Sequence, residues 1–185
     1  MAKPRRRAPA RTLATLPVRQ ARDADLIQVV IETPKGSRNK YAFDPAQHVF
    51  RLKTVLPAGM AFPYDFGFVP STKADDGDPL DVLVLMDEAA FPGCVVGCRV
   101  IGAILGEQDQ DGKTVENDRL IAAESENHHY TTIKRPSDLG KRFLKELEQF
   151  FVDYHGLSKE KFRVKKCVGK RRALQLIKRA KTRDW

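Results

Sequence analysis

Residues 75–81 (DDGDPLD), followed at once by the apolar run 82–86 (VLVLM), restrict this chain more than any other stretch. The apolar run has no polar relief, so it reads as a strand covered on both faces. Pro79 keeps a helix from running through the acidic stretch, and Gly77 allows a tight backbone. Asp76 and Asp78, two apart in an extended segment, project to the same side, and Asp81 enters the buried strand. Carboxylates crowded at the head of a core strand repel one another and lose hydration. Both effects raise their pKa values and cost stability unless a cation compensates. A hard divalent ion with oxygen ligands supplies that compensation. An exposed acidic turn, built from the same turn-forming residue types, is the plain alternative.

Around this strand the pattern is strands first, helices last. Residues 26–33 (LIQVVIET), 95–105 and 119–123 read as strands, and 40–43 with 49–55 as a hairpin around Asp44 and Pro45. Residues 56–79 carry Pro57, Pro63, Pro70 and Pro79 and read as loop. DQDGK (109–113) reads as a hairpin turn. Leu139, Phe143, Leu144, Leu147, Phe150 and Phe151 recur at helical spacing, which predicts a helix over 137–154 capped by Ser137 and Asp138. A second helix is expected over 172–181. The expected fold class is α+β, a β-barrel or curled sheet with helices packed outside. At 185 residues, one folded domain over 25–185 is expected.

The net charge of +9 is uneven: Lys3, Arg5, Arg6, Arg7, Arg11, Arg19 and Arg22 fall within 1–22, with no acidic residue among them. Residues 1–24 are accordingly expected to form a basic disordered tail. No aromatic side chain is interleaved there to stack on bases, which disfavours nucleic acid as a partner. No apolar run approaches the ~18 residues of a membrane span, and the N-terminus lacks the apolar core of a secretory signal. The three cysteines, Cys94, Cys98 and Cys167, make no disulfide framework. A cytoplasmic protein without membrane attachment is expected. No Gly-rich phosphate loop of the P-loop type and no serine or cysteine nucleophile motif occurs.

DGDPLDVLV (76–84) resembles the signature of the family I soluble inorganic pyrophosphatases. The likeness runs in order and spacing over about residues 26–176. It includes VVIETP (29–34), NKYAFD (39–44), VLPAGMAFPYDFGFVP (55–70), PGCVVGCRVIGAI (92–104), NDRLIAA (117–123) and FFVDYHGL (150–157). The resemblance implies a closed five-stranded, OB-like β-barrel with flanking C-terminal helices. It also implies several Mg²⁺ ions per subunit, hydrolysis of pyrophosphate by metal-activated water, and a homo-oligomer. On it, Asp76, Asp78 and Asp81 are the central metal ligands, with Asp78 also beside the attacking water, and Glu32 holds outer metal waters. Lys40 matches a phosphate-binding lysine, and Tyr154 a tyrosine that donates a hydrogen bond to product phosphate.

The chain departs from the family pattern on the phosphate side. Phe66 stands where a tyrosine is usual, and Thr54 where a phosphate-binding arginine is usual, with Lys53 or Arg51 near enough to compensate. His155 stands where a lysine follows the tyrosine. A second pair of metal ligands, normally two aspartates across a short turn, meets a longer turn here, EQDQDGKTVEND. Glu107 and Asp118 are the expected pair, because a carboxylate is the better magnesium ligand. An ungapped match of Arg119 to the family's lysine puts Asn117 second instead. Lys40, Lys53, Arg119 and Tyr154 are thus expected to bind substrate. Two alternatives stand beside pyrophosphate hydrolysis: a related phosphohydrolase acting on another phosphoanhydride such as a nucleotide, and a non-catalytic nucleic-acid-binding barrel using its basic tail.

Overall fold

The computed structural model describes residues 11–19, 26–110, 112–157 and 161–182. Eight strands come first: β1 (Ile27–Thr33), β2 (Asn39–Asp44), β3 (Val49–Val55), β4 (Asp65–Phe68), β5 (Asp81–Leu85), β6 (Val95–Gln110), β7 (Lys113–Glu116) and β8 (Arg119–Glu124). They are followed by α1 (Lys141–Gly156), β9 (Phe162–Gly169) and α2 (Lys170–Ala180). One sheet takes the order β1-β4-β5-β8-β6-β7. β9 also pairs with β6, and β1 pairs with β6 as well as with β4. β2 and β3 form a separate two-stranded sheet. The fold is a sheet-rich α+β arrangement. Its β5–β8 ladder is parallel, and the register pairs Asp81 with Arg119, which sets an acid and a guanidinium side by side.

β5 is covered on both faces, as its unbroken apolar run predicts. Val82 and Val84 join Val29, Ile31, Val100 and Leu120 with Ala173, Leu176 and Ile177 of α2. Leu83 and Leu85 join Ile101, Ile121 and Phe66 with Leu147 and Phe151 of α1. Each such side chain contributes roughly 1.5–3 kcal/mol when fully buried. Four of them on one short strand outweigh the desolvation of the single carboxylate at its head, so packing can hold Asp81 where ionisation is costly.

Two strands differ from expectation. β4 lies inside the proline-rich stretch read as loop. It is only four residues long, and Gly67 lets it lie against β1, because a Cβ there would run into the Val30 carbonyl oxygen. β9 was not anticipated, since its basic, largely exposed pattern hides the alternation that seats Phe162 in the core. At the start of α1, Asp138 caps the preceding turn rather than the helix. Its carboxylate accepts the Lys134 and Arg135 backbone N–H groups, and Gly140, at φ 84°, stands at the N-cap.

The tail expectation is corrected where the structure describes it. Within 11–19, Leu13–Thr15 form a 3-10 turn, and Ala14 and Val18 are buried. Ser71 donates its backbone N–H to the Ala14 carbonyl and its hydroxyl to the Leu16 carbonyl, each at 2.8 Å. The cause is the apolar content of LATLPV, which a charge count overlooks. Residues 1–10 and 20–24 of that tail lie outside the described residues. Among the described residues no helix is long and apolar enough to cross a membrane.

Candidate active site

A cavity of about 850 Å³ gathers Glu32 of β1, Lys40 of β2, Asp76 and Asp78 of the acidic turn, Asp81 of β5 and Arg119 of β8. Tyr154 and His155 of α1 complete its wall, and the exposed Lys53 and Thr54 of β3 stand at its edge. The acidic turn folds as its residues dictate. Gly77 takes φ 95°, and Asp78 donates its backbone N–H to the Asp76 carboxylate at 3.1 Å. Asp76 and Asp78 both reach the cavity, but from a turn closed by the Gly77 N–H to the Ala74 carbonyl and the Ala74 N–H to the Asp78 carbonyl, not from the extended segment expected.

Electrostatics follow from burial. Desolvation pushes the Asp81 carboxyl up to about 6, against the opposing pull of Arg119 and Lys40. Desolvation likewise pushes Asp76 up to about 6, with Asp81 and Asp78 adding repulsion. Glu32 is raised by burial, partly offset by Lys40. Its carboxylate accepts the Phe43 backbone N–H at 2.7 Å and lies 3.6 Å from the Lys40 ammonium. That ammonium sits 4.1 Å from the centre of the Phe66 ring, so Phe66 offers a π-face where a tyrosine would offer a hydroxyl.

Arg119 is the most enclosed charge in the wall, at 2% exposure. Its guanidinium lies 4.6 Å from the Phe151 ring centre and 4.4 Å from that of Phe162. It donates to the Asn117 carbonyl at 3.2 Å and to His155 Nε2 at 2.7 Å. Burial first, then Arg119 and Lys40, push the His155 imidazole down to about 3, so it is neutral at ordinary pH.

Glu107 and Asp118 are not brought to this cavity. Successive residues of a strand face opposite ways: β6 sends Gln108 inward and Glu107 outward. Arg163 and Lys165 bind Glu107 at 3.0 and 2.6 Å. Likewise Asn117 and Arg119 face the cavity, while Asp118 lines a small separate recess of about 40 Å³ and accepts the Gly106 N–H. The amides Gln108 and Asn117 therefore occupy the positions expected of the second acidic pair. The ungapped match through Arg119 was the usable signal for Asn117, whereas nothing in the sequence marked Gln108.

Among the described residues no three His, Cys, Asp or Glu side chains converge on one ligand point. The acids share the walls of a cavity rather than a closed cage. Desolvated carboxylates with raised pKa values and hard oxygen donors fit a divalent cation that keeps part of its water shell.

The family model described as inorganic pyrophosphatase matches residues 29–184. This chain belongs to the inorganic pyrophosphatase family. Over 137 residues it is 42% identical to the inorganic pyrophosphatase of a Synechocystis species, covering 74% of this chain and 79% of that one. The Thermus thermophilus enzyme is 37% identical over 157 residues, covering 85% and 87%. The crystal structure of inorganic pyrophosphatase from Thermus thermophilus superposes with a TM-score of 0.84 at 33% identity, covering 92% of this chain and 97% of that one. Pyrophosphatases of this family depend on divalent metal, and the carboxylate-walled cavity fits that requirement.

Proposed function

We propose that this chain hydrolyses pyrophosphate to two phosphates, with Mg²⁺ ions held by Asp76, Asp78 and Asp81 and through outer waters by Glu32. The observation that carries this reading is the meeting of those four acids with Lys40 and Arg119 in one cavity. The bound ions supply Lewis acidity and bring the pKa of a water toward neutrality. Asp78, exposed at the cavity rim, accepts the proton of the attacking water. Lys40, steered by Glu32, neutralises a phosphate oxygen as a point charge. Arg119 presents fixed donors to another phosphate oxygen, and Tyr154 donates its hydroxyl to product phosphate. In-line transfer of this kind asks for positioning and charge more than covalent chemistry. Glu107 and Asp118 have no place in this scheme, and Lys53 contributes only an exposed charge at the rim.

The successive pairings β1–β4, β4–β5, β5–β8, β8–β6 and β6–β1 support a closed five-stranded barrel as the scaffold. We place the enzyme in the cytoplasm as a homo-oligomer, on family membership. Phosphate release from pyrophosphate, measured with and without Mg²⁺, tests the activity. A second reading, hydrolysis of another phosphoanhydride such as a nucleotide, is favoured by Phe66 and Thr54, which remove two phosphate donors from the wall. A substrate panel decides it: faster turnover of a nucleoside triphosphate than of pyrophosphate supports the second reading.

A further inference from the structure

Gln108, Asn117, Arg119 and His155 form one hydrogen-bonded stretch of the cavity wall. Gln108 and Asn117 are 8% and 5% exposed, and Asn117 Nδ2 donates to Gln108 Oε1 at 2.6 Å. That bond occupies the Gln108 amide oxygen, and the neighbouring carboxylates of Glu107 and Asp118 are turned away. Amide oxygens beside a fixed guanidinium make a poor seat for a divalent cation, since they bring no negative charge to offset the repulsion.

Arg119 carries a second observation. It is buried against the Phe151 and Phe162 rings, yet its Nε has no hydrogen-bond partner among the described residues. The nearest acid, Asp81 Oδ2, lies 3.8 Å away, beyond hydrogen-bond reach. A buried, unsatisfied donor on a charged group is costly, and this one belongs to a side chain that lines the cavity. A guanidinium only donates, so His155 Nε2 accepts from Nη2 and the imidazole proton sits on Nδ1. The His155 ring stacks on Phe162 at 4.9 Å between centroids, with 19° between planes, which fixes the acceptor in turn. An imidazolium here would oppose Arg119; burial keeps the ring neutral.

We infer that this stretch of the wall takes a phosphate oxygen on Arg119 with no divalent ion between Gln108 and Asn117. In this arrangement His155 is a positioning residue that fixes the guanidinium without touching substrate. The inference rests on the pyrophosphate reading above and deepens it: charge that a second acidic pair would bring through metal is supplied here by an immobilised arginine.

Two binding measurements on the whole protein test it. Mn²⁺ titration followed by electron paramagnetic resonance counts bound ions. Gln108→Leu and Asn117→Leu are expected to leave that count unchanged, and loss of an ion in either variant overturns the inference. Calorimetric titration with methylenediphosphonate, a hydrolysis-resistant pyrophosphate analogue, in Mg²⁺ reads the grip of Arg119. His155→Leu is expected to weaken binding about tenfold or more, the loss of one charge-assisted hydrogen bond. His155→Gln, whose amide oxygen can accept the same bond, should stay within about threefold. His155→Lys, which sets a second cation against Arg119, should weaken binding. Wild-type affinity in His155→Leu, equal weakening by Leu and Gln, or tighter binding by Lys contradicts the positioning role. If the leucine variant does not fold, the Gln and Lys variants decide. Neither readout needs turnover: analogue binding without pyrophosphate hydrolysis sinks the hydrolytic reading alone, and the reverse outcome sinks only this inference.

Discussion

Replacing Asp81 by asparagine should make the metal-free protein more stable at neutral pH, while removing the gain it draws from Mg²⁺. In the folded chain burial pushes the Asp81 carboxyl up to about 6, against its usual 3.8. The folded state therefore holds that proton longer than the unfolded one does. Its contribution to stability is complete below about 3.8 and is lost as pH rises through about 6. Each pH unit of displacement is worth about 1.4 kcal/mol, so the ionised group costs up to about 3 kcal/mol at pH 7.5. That figure is an upper bound, because 26% of the side chain still reaches solvent. It already includes the attraction of Arg119, since that pull is among the causes of the displacement. Asparagine mimics the protonated shape without the charge. Thermal unfolding in a chelator should show Asp81→Asn melting higher by up to about 6–12 °C, at ~2–4 °C per kcal/mol for a chain of this size. In saturating Mg²⁺ the wild type should gain more than the variant. A metal-free variant no more stable than wild type, together with equal stabilisation of both by Mg²⁺, would refute the reasoning.

Other substitutions separate the acids by face and the imidazole by pH. Asp78→Asn should abolish metal-dependent phosphate release while shifting unfolding by less than about 1 kcal/mol, because the side chain is exposed; retained turnover contradicts its role. Glu107→Gln and Asp118→Asn should keep kcat/KM within about threefold of wild type, since strand alternation turns both away from the cavity; a hundredfold loss in a phosphate-release assay contradicts that placement. His155 is held near 3 when folded, against 6.5 ordinarily. Its stabilisation is thus complete above about 6.5 and is lost as pH falls toward 3. In urea unfolding, the advantage of wild type over His155→Gln should shrink by about 2 kcal/mol between pH 7 and pH 5; a constant gap contradicts a buried neutral imidazole.

The sequence carried the scaffold well where the residues spoke locally. The run VLVLM specified a strand buried on both faces, the helical spacing of Phe143, Leu147 and Phe151 specified α1, and Gly77 with Pro79 specified a non-helical acidic turn. It failed where tertiary pairing decides. β4 exists because Gly67 permits contact with β1, and β9 exists because β6 is long enough to offer it an edge. The carboxylate wall of the cavity was legible, where Asp76, Asp78 and Asp81 are close in sequence. Along the wall around Arg119 legibility turned on which residue of a pair faces inward. A one-residue difference in register exchanges Glu107 for Gln108 and Asp118 for Asn117, and composition alone favoured the carboxylates. The buried contact between Arg119 and His155 joins residues 36 apart and left no local mark.

Phosphate released from pyrophosphate by the purified chain, followed as Mg²⁺ is added to and then chelated from one sample, addresses the central claim most directly. Turnover that appears with the ion, vanishes with the chelator and returns on re-addition is the predicted result. Release indifferent to Mg²⁺, or none at any divalent-ion concentration, contradicts a cavity whose carboxylates exist to hold catalytic cations.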